Sequence, residues 1–286
     1  MTSWALILIL AAAVIHATWN LINKQASGHA TFTWLVAVLS ALLYPPATIT
    51  VMEVWQININ FVAIGMMAGS AALHTAYFVL LNQGYRAGDL SLVYPLARGT
   101  GPLLSSLAAI VFLGERASLI ALGGGLLIIG GVVILTTNLT QLRQSGAQDA
   151  VLYALVTGLF IAAYTLWDKQ AVSYFGIAPL VLDWGANVGR AVLLAPFALK
   201  YSDQTIAEWR EHKYEAIAVA VLIPLSYILV LTAMRFTPVS YVAPAREISI
   251  LIGTAMGAHF LAEGDTSRRL AAASAMVLGV VALAIG

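Results

Sequence analysis

Charged residues are scarce in this 286-residue sequence, and cysteine is absent. Only 9% of the residues are charged, whereas 60% are hydrophobic. Soluble domains carry roughly 25% charged residues, so this composition excludes an ordinary water-exposed surface and requires a lipid bilayer as solvent. The absence of cysteine excludes disulfides, zinc–thiolate sites and a cysteine nucleophile. The net charge of +1 gives no indication of a nucleic-acid partner.

Long apolar runs take the place of a charged surface. A membrane-spanning helix needs about 20 mostly apolar residues. Runs bounded by charges, glycine and proline predict an all-α integral membrane protein with ten spans, at 3–23, 30–52, 59–81, 88–113, 117–137, 149–168, 177–199, 213–234, 238–261 and 267–286. The first run lacks the basic start of a secretory signal peptide, and we interpret it as a retained span.

The second half of the chain repeats features of the first half in the same order. The matched pairs are ATWNLINKQAS (17–27) with AAYTLWDKQAV (162–172), Trp34 with Trp184, Arg86 with Arg235, and Ser91-x-Val93-x-Pro95 with Ser240-x-Val242-x-Pro244. Five spans per half would insert the halves in opposite orientations, as in many secondary transporters. We therefore predict two inverted five-helix repeats, over residues 1–140 and 149–286.

Three arginines lie inside predicted spans: Arg98, Arg190 and Arg246. An arginine at a helix centre costs about 2.5–3.5 kcal/mol on insertion scales, so these side chains are expected to face the protein interior or a wet cavity. Asp183 and Glu247 are placed to partner them. Arg98 and Arg246 each follow a proline at an equivalent place in the repeat. The proline interrupts helical hydrogen bonding and favours a position beside a cavity. The alternative is that the arginines form internal ion pairs that lock helices together.

Other polar and aromatic residues complete the predicted substrate-binding set. They are His16, Trp19 and Asn20 in the first span, His74 and Tyr77 in the third, and Tyr94, Tyr164 and Tyr227 in the fourth, sixth and eighth. Core packing is the alternative role for each of them. Asn23, Lys24, Asp168 and Lys169 lie at span ends, where their side chains are expected to reach water.

Three segments carry a resemblance to a known family: IHATWNLINK (15–24), the run from Tyr85 to Leu135 that contains YPLARGTGPLLSS and LGE, and the run from Met234 to Asp265. They resemble the EamA-like branch of the drug/metabolite transporter superfamily. The resemblance implies ten helices in an inverted repeat, a central cavity, and alternating access without a covalent cofactor. Members of this superfamily move amino acids, sugars, nucleotide-linked sugars, phosphorylated metabolites or drugs.

Membrane orientation is a point of conflict. The resemblance implies a multi-pass protein of the cell (inner) membrane with cytoplasmic termini. That orientation leaves only Arg116, Lys169 and Arg235 on the cytoplasmic side. It places Lys24, Arg86, Arg143, Lys200, Arg210, Lys213, Arg268 and Arg269 outside. The tendency of Lys and Arg to stay cytoplasmic therefore predicts the opposite orientation.

These patterns predict a secondary transporter, acting as an exporter or exchanger of a small organic metabolite. Guanidinium groups bind carboxylate and phosphate through paired hydrogen bonds, so an anionic or zwitterionic solute is favoured. The alternative is an intramembrane enzyme acting on a lipid phosphate, with Glu247 or His16 as its base. The expected partners are the small-molecule substrate and the lipid bilayer, and the chain is expected to be a monomer or a homodimer.

Overall fold

The structure is a computed structural model that describes residues 3–26, 29–113, 118–136, 147–236, 246–261 and 265–285. Within these residues the regular elements are helices and there is no strand, which confirms the all-α class. The predicted junction of the two halves near residue 140 and the start of the predicted ninth span lie outside the described residues.

Eleven helices form the described part of the chain. Those of the first half are α1 (Ser3–Gln25), α2 (Ala30–Leu43), α3 (Pro45–Val54), α4 (Phe61–Ala87), α5 (Leu90–Leu113) and α6 (Leu119–Thr136). Those of the second half are α7 (Ala147–Lys169, continued by the π-helical turn Gln170–Tyr174), α8 (Pro179–Lys200), α9 (Ser202–Phe236), α10 (Ile248–Phe260) and α11 (Thr266–Ile285).

Two of these helices depart from straight spans. The predicted second span is a pair, α2 and α3, bent by 44°. Pro45 and Pro46 occupy the first turn of α3, where proline's missing N–H costs nothing, but they cannot continue the hydrogen bonds of α2. Helix α9 kinks at His212, so the predicted eighth span begins directly after the kink.

The outer surface of the helices is apolar. Among the described residues, four helices are long and apolar enough to cross a bilayer: α1, α4, α7 with its π-helical turn, and α9; the bent α2–α3 pair makes a fifth. Large apolar side chains such as Phe61 and Leu119 are almost fully exposed, at 92% and 87%. Such a surface is stable in lipid rather than in water.

The helices of the two halves pack in a reciprocal pattern. Helix α1 packs against α9 and α10, and its equivalent α7 packs against α4 and α5, which are the equivalents of α9 and α10. In the same way α4 packs against α8, and its equivalent α9 packs against α2. Equivalent helices also meet directly between the halves: α2 with α8, α5 with α10, and α6 with α11. Reciprocal packing of this kind is the signature of two units related by a two-fold axis.

A pair of tryptophans shows the same reciprocity at atomic level. Trp34 Nε1 donates to the carbonyl of Ala191 at 3.0 Å, and Trp184 Nε1 donates to the carbonyl of Ala41 at 3.1 Å. Trp34 is equivalent to Trp184, and Ala41 stands the same distance along the chain from Ala191. The two hydrogen bonds are therefore equivalent contacts, one in each direction between the halves.

Equivalent helices point in opposite directions. Lys24, at the end of α1, donates to the carbonyls of Tyr85 and Gly88 at the end of α4. The end of α7 lies at the other end of α4, because the turn around Gly176 shares a pocket with the loop that precedes Phe61. Helices α1 and α7 thus end at opposite ends of α4.

Candidate functional site

A cavity lies between the two halves. Its walls come from α1, α4 and α5 of the first half, and from α7, α8, α9 and Arg246 of the second. The empty space is about 490 Å³, counting the part that is open to the outside. Most of the predicted binding residues line it: His16, Trp19, His74, Tyr77, Arg98, Tyr164, Arg190, Tyr227 and Arg246.

Two arginines of the cavity share one carboxylate. Arg98 Nη2 donates to Glu247 Oε1 at 2.7 Å, and Arg246 Nε donates to the same oxygen at 3.3 Å. Glu247 is fully buried and is not part of the cavity wall. Nε and Nη1 of Arg98 have no hydrogen-bond partner among the described residues, so this guanidinium retains two unused donor atoms.

The ion pair joins equivalent positions of the two repeats. Alignment of Pro95 with Pro244 makes Arg98 equivalent to Glu247, and not to Arg246 one residue earlier. The expectation that Arg98 and Arg246 occupy equivalent positions is therefore one residue out of register. A two-fold axis brings equivalent positions together when they lie close to it, which accounts for the 2.7 Å contact.

The third arginine is held by a chain of polar contacts along α8. Arg190 Nη2 donates to Asn187 Oδ1 at 2.6 Å, and Asn187 Nδ2 donates to Asp183 Oδ2 at 3.0 Å. The guanidinium also lies 4.4 Å from the centre of the Phe78 ring, a cation–π contact. Nε and Nη1 of Arg190 have no hydrogen-bond partner in the described part of the chain. Asp183, Asn187 and Arg190 thus form a continuous hydrogen-bonded chain that presents one arginine to the cavity.

The carboxylate of Asp168 is buried behind the part of the cavity wall that His74 and Tyr227 form. His74 Nε2 lies 2.9 Å from Asp168 Oδ2, and the hydroxyl of Tyr227 donates to the same oxygen at 2.5 Å. Asp168 is 1% exposed, so it does not reach water from its span end as expected from the sequence. His74 and Tyr227 line the cavity, and Asp168 anchors both of them.

Aromatic rings fill the remaining wall. The His74 ring stacks on Tyr164 at 4.2 Å between centres, and Tyr77 meets Tyr164 edge-on at 5.4 Å. On α1, Trp19 Nε1 donates to His16 Nδ1 at 3.2 Å, which leaves Nε2 of His16 without a partner among the described residues. Aromatic walls exclude water, and a charge interacts more strongly in such a region of low dielectric.

Three predicted binding residues stand away from the wall. Asn20 is fully buried between α1 and α4, where it accepts a hydrogen bond from the Tyr85 hydroxyl at 2.6 Å. Tyr94 is also buried, and its ring packs on Gly253, where an added methyl group would lie 2.5 Å from the ring. Glu247 acts through the two arginines that it bonds. None of the three borders the cavity as the structure describes it.

Other residues that line or support the cavity were not in the predicted set. Phe78 and Ser226 line the wall together with Ala12, Ile223 and Val230, and Asp168 supports it from behind. One signal for Asp168 was present in the sequence, because it aligns with Asn23 in the repeat. Asp168 was nevertheless expected to reach water, because it lies at the end of a predicted span.

The charges on the wall are of one sign. No Asp or Glu lines the cavity among the residues that the structure describes, whereas Arg98, Arg190 and Arg246 do. In the same residues no cluster of His, Asp and Glu has the arrangement of a metal site. The wall is therefore suited to a solute that carries negative charge.

Comparisons with known proteins agree with this architecture. The model of the EamA-like transporter family matches residues 3–137 and again residues 148–285. A crystal structure of a protein shares the fold with a TM-score of 0.62, covering 100% of this chain and 99% of that one at 15% sequence identity. A search of curated proteins gives no significant match.

Proposed function

Because the chain belongs to the EamA-like transporter family, we propose that it is a secondary transporter that exports or exchanges a small organic solute. The proposed solute is anionic or zwitterionic and binds in the cavity between the two repeats. One observation carries this proposal: three arginines and no carboxylate line the cavity in the described part of the chain. Paired N–H donors of a guanidinium match the oxygens of a carboxylate or a phosphate.

Alternating access around this cavity is the proposed mechanism. The proposal includes ten spans in two inverted repeats, supported by the opposite directions of α1 and α7 and by the reciprocal helix contacts. Two units related in this way can rock about a shared site, opening it first to one side and then to the other. The shared Glu247 would keep Arg98 and Arg246 in place while the cavity is empty.

The family, rather than the geometry alone, weighs against the enzyme alternative, because one of its two candidate bases, His16, lines the cavity. Hydrolysis of a lipid phosphate needs a base close to the bound phosphate. Glu247, the deep acidic candidate, bonds two arginines and does not border the cavity. Proteins of the matched family are transporters rather than enzymes.

A two-step experiment tests the proposal. Thermal unfolding of the purified protein is measured with a panel of sodium salts: lactate, succinate, aspartate, inorganic phosphate and glycerol phosphate. Any salt that stabilises the protein is then used, in labelled form, for counterflow into proteoliposomes loaded with the same unlabelled solute. We expect counterflow without product formation. Conversion of the labelled solute into a new compound, or stabilisation by none of these salts, would contradict the proposal.

Orientation is proposed from family topology, with cytoplasmic termini in the cell membrane. The absence of cysteine allows a single cysteine to report on each side. Ser202→Cys, at the start of α9, should react with a membrane-impermeant maleimide on intact cells, and Asn58→Cys, before α4, should react only after permeabilisation. Reversed labelling would show that the charge distribution, rather than the family, sets the orientation.

A further inference from the structure

We infer that the His74–Asp168 pair is a proton-binding site, and that the transporter carries one proton together with each monoanionic solute. This inference rests on the proposed function, and it narrows the solute to one with a net negative charge.

The local geometry is that of a proton site in contact with the cavity. Two donors, from His74 and Tyr227, converge on Oδ2 of Asp168. The other oxygen, Oδ1, is buried and has no hydrogen-bond partner among the described residues. A buried carboxylate oxygen without a partner is costly, and a proton on it removes much of that cost. Oδ1 of Asp168 is therefore the proposed position of the proton.

The pair borders a second pocket next to the cavity. Tyr227, Val230 and Arg246 line both the cavity and a second, smaller pocket behind it. The second pocket also contains Asp168 and Lys169, and Lys169 is exposed at the end of α7. Asp168 thus lies between the cavity wall and the exposed end of α7, which is the side from which the proton is proposed to arrive.

The buried charges around the cavity balance when the pair is deprotonated. Around the cavity, the buried arginines Arg98, Arg190 and Arg246 equal in number the buried carboxylates Asp168, Asp183 and Glu247. The other buried charged residues of the described part, Glu208 and Arg269, pair with His29 and Asp89 elsewhere. The other titratable groups near the pair are Tyr77 on α4, Tyr164 on α7, Tyr227 on α9 and His16 across the cavity. Lys169 is exposed, so water screens its charge.

This balance couples the proton to the anion. A monoanion that enters the balanced site leaves one uncompensated negative charge in a region of low dielectric, which is costly. A proton on the His74–Asp168 pair restores neutrality, so each ligand raises the affinity for the other by the same factor, about tenfold or more. A zwitterion has no net charge and would bind without the proton. The combined gradients of the solute and the proton then set the direction of transport.

The test measures proton movement and solute movement in the same vesicles. Proteoliposomes contain a pH-indicator dye, and sodium lactate or sodium aspartate, each a monoanion near neutral pH, is added outside. Protein-free vesicles give the background from diffusion of the undissociated acids. With the wild-type chain, any of these anions that shows counterflow should also acidify the interior. Asp168→Asn should keep measurable counterflow and lose the acidification.

Two further variants keep the test decisive. His74→Gln removes the other half of the pair, and should reproduce the loss of acidification if Asp168→Asn fails to fold. His16→Gln changes the cavity histidine outside the pair, and should keep the ratio of protons to solute even if counterflow slows. Wild-type counterflow without acidification, or acidification that survives both Asp168→Asn and His74→Gln, would overturn the inference and leave the proposed function standing. Absence of counterflow for every anion would instead contradict the proposed function itself.

Discussion

Asn23 and Asp168 stand at equivalent places in the two repeats and make different kinds of contact. Asn23 Nδ2 donates to Asn82 Oδ1 at 2.7 Å, and Asn82 Nδ2 donates to Thr33 at 2.6 Å, so a neutral chain ties helices of the first repeat to each other. Asp168 instead reaches out of its own repeat to His74 on α4. The neutral side chain stabilises one repeat, whereas the charged one links the two repeats beside the cavity.

A second comparison separates contacts that hold the repeats together from contacts near the solute. Trp34 and Trp184 are identical and make the same hydrogen bond in both directions. Arg98 and Glu247 are also equivalent, but they carry opposite charges and bond each other. The repeats are thus alike where they only pack together, and they differ where they build the cavity.

The largest expected effect comes from breaking the Arg98–Glu247 pair. Glu247→Gln leaves the charge of Arg98 buried without its partner, and loss of one member of a buried ion pair costs about 3–5 kcal/mol of unfolding free energy. The exchange Arg98→Glu with Glu247→Arg should recover much of that loss, because a two-fold axis makes the two positions interchangeable. Denaturant unfolding in detergent micelles measures both variants. A double exchange no more stable than Glu247→Gln would refute the equivalence of the two positions.

A smaller effect is expected from making Asn23 resemble Asp168. Asn23→Asp places a carboxylate against Asn82 with no histidine in contact, so burial of the charge should cost about 2 kcal/mol or more. Asp168→Asn keeps an oxygen that accepts hydrogen bonds from His74 and Tyr227, and should cost about 1 kcal/mol. The same unfolding experiment compares them. Equal losses would mean that the two positions do not differ as their contacts indicate.

The smallest effect tests the symmetric contact. Trp34→Phe and Trp184→Phe each remove one hydrogen bond to a carbonyl, which is worth about 1 kcal/mol. Because the contacts are reciprocal, the two losses should agree within about 0.5 kcal/mol. Thermal unfolding of the purified variants provides the measurement, and a strong inequality would show that the halves are less alike than their hydrogen bonds suggest.

Much of the fold could be predicted from the sequence, because the bilayer leaves few alternatives to apolar helices. The helix positions and the pairing of Trp34 with Trp184 followed from apolar runs and repeated residues. The bend at Pro45 was missed, although two consecutive prolines mark it, because the run around them is long enough for a single span.

The part of the candidate site that could be predicted from the sequence is the set of arginines, because a charge inside a span is costly unless it faces the protein interior. Arginines inside spans must face the interior, and all three line one cavity. Asp168 could not be assigned to the site, because a carboxylate near a span end normally reaches water; only the packing of α7 on α4 buries it against His74. In the alignment of the two repeats, Arg98 was matched with Arg246 instead of Glu247, an error of one residue. The match was made by residue type, because an arginine follows a proline in both repeats.

The central claim is that the arginine-lined cavity between the repeats binds and carries an anionic solute. Counterflow in proteoliposomes tests it most directly, with wild type, Arg98→Ala, Arg98→Lys and the control Gly65→Ala, where the added methyl group meets nothing within 4 Å. We predict that Arg98→Ala falls to the background of protein-free vesicles, that Arg98→Lys recovers part of the rate by keeping the charge, and that Gly65→Ala matches wild type. Counterflow by Arg98→Ala at the wild-type rate would contradict the account.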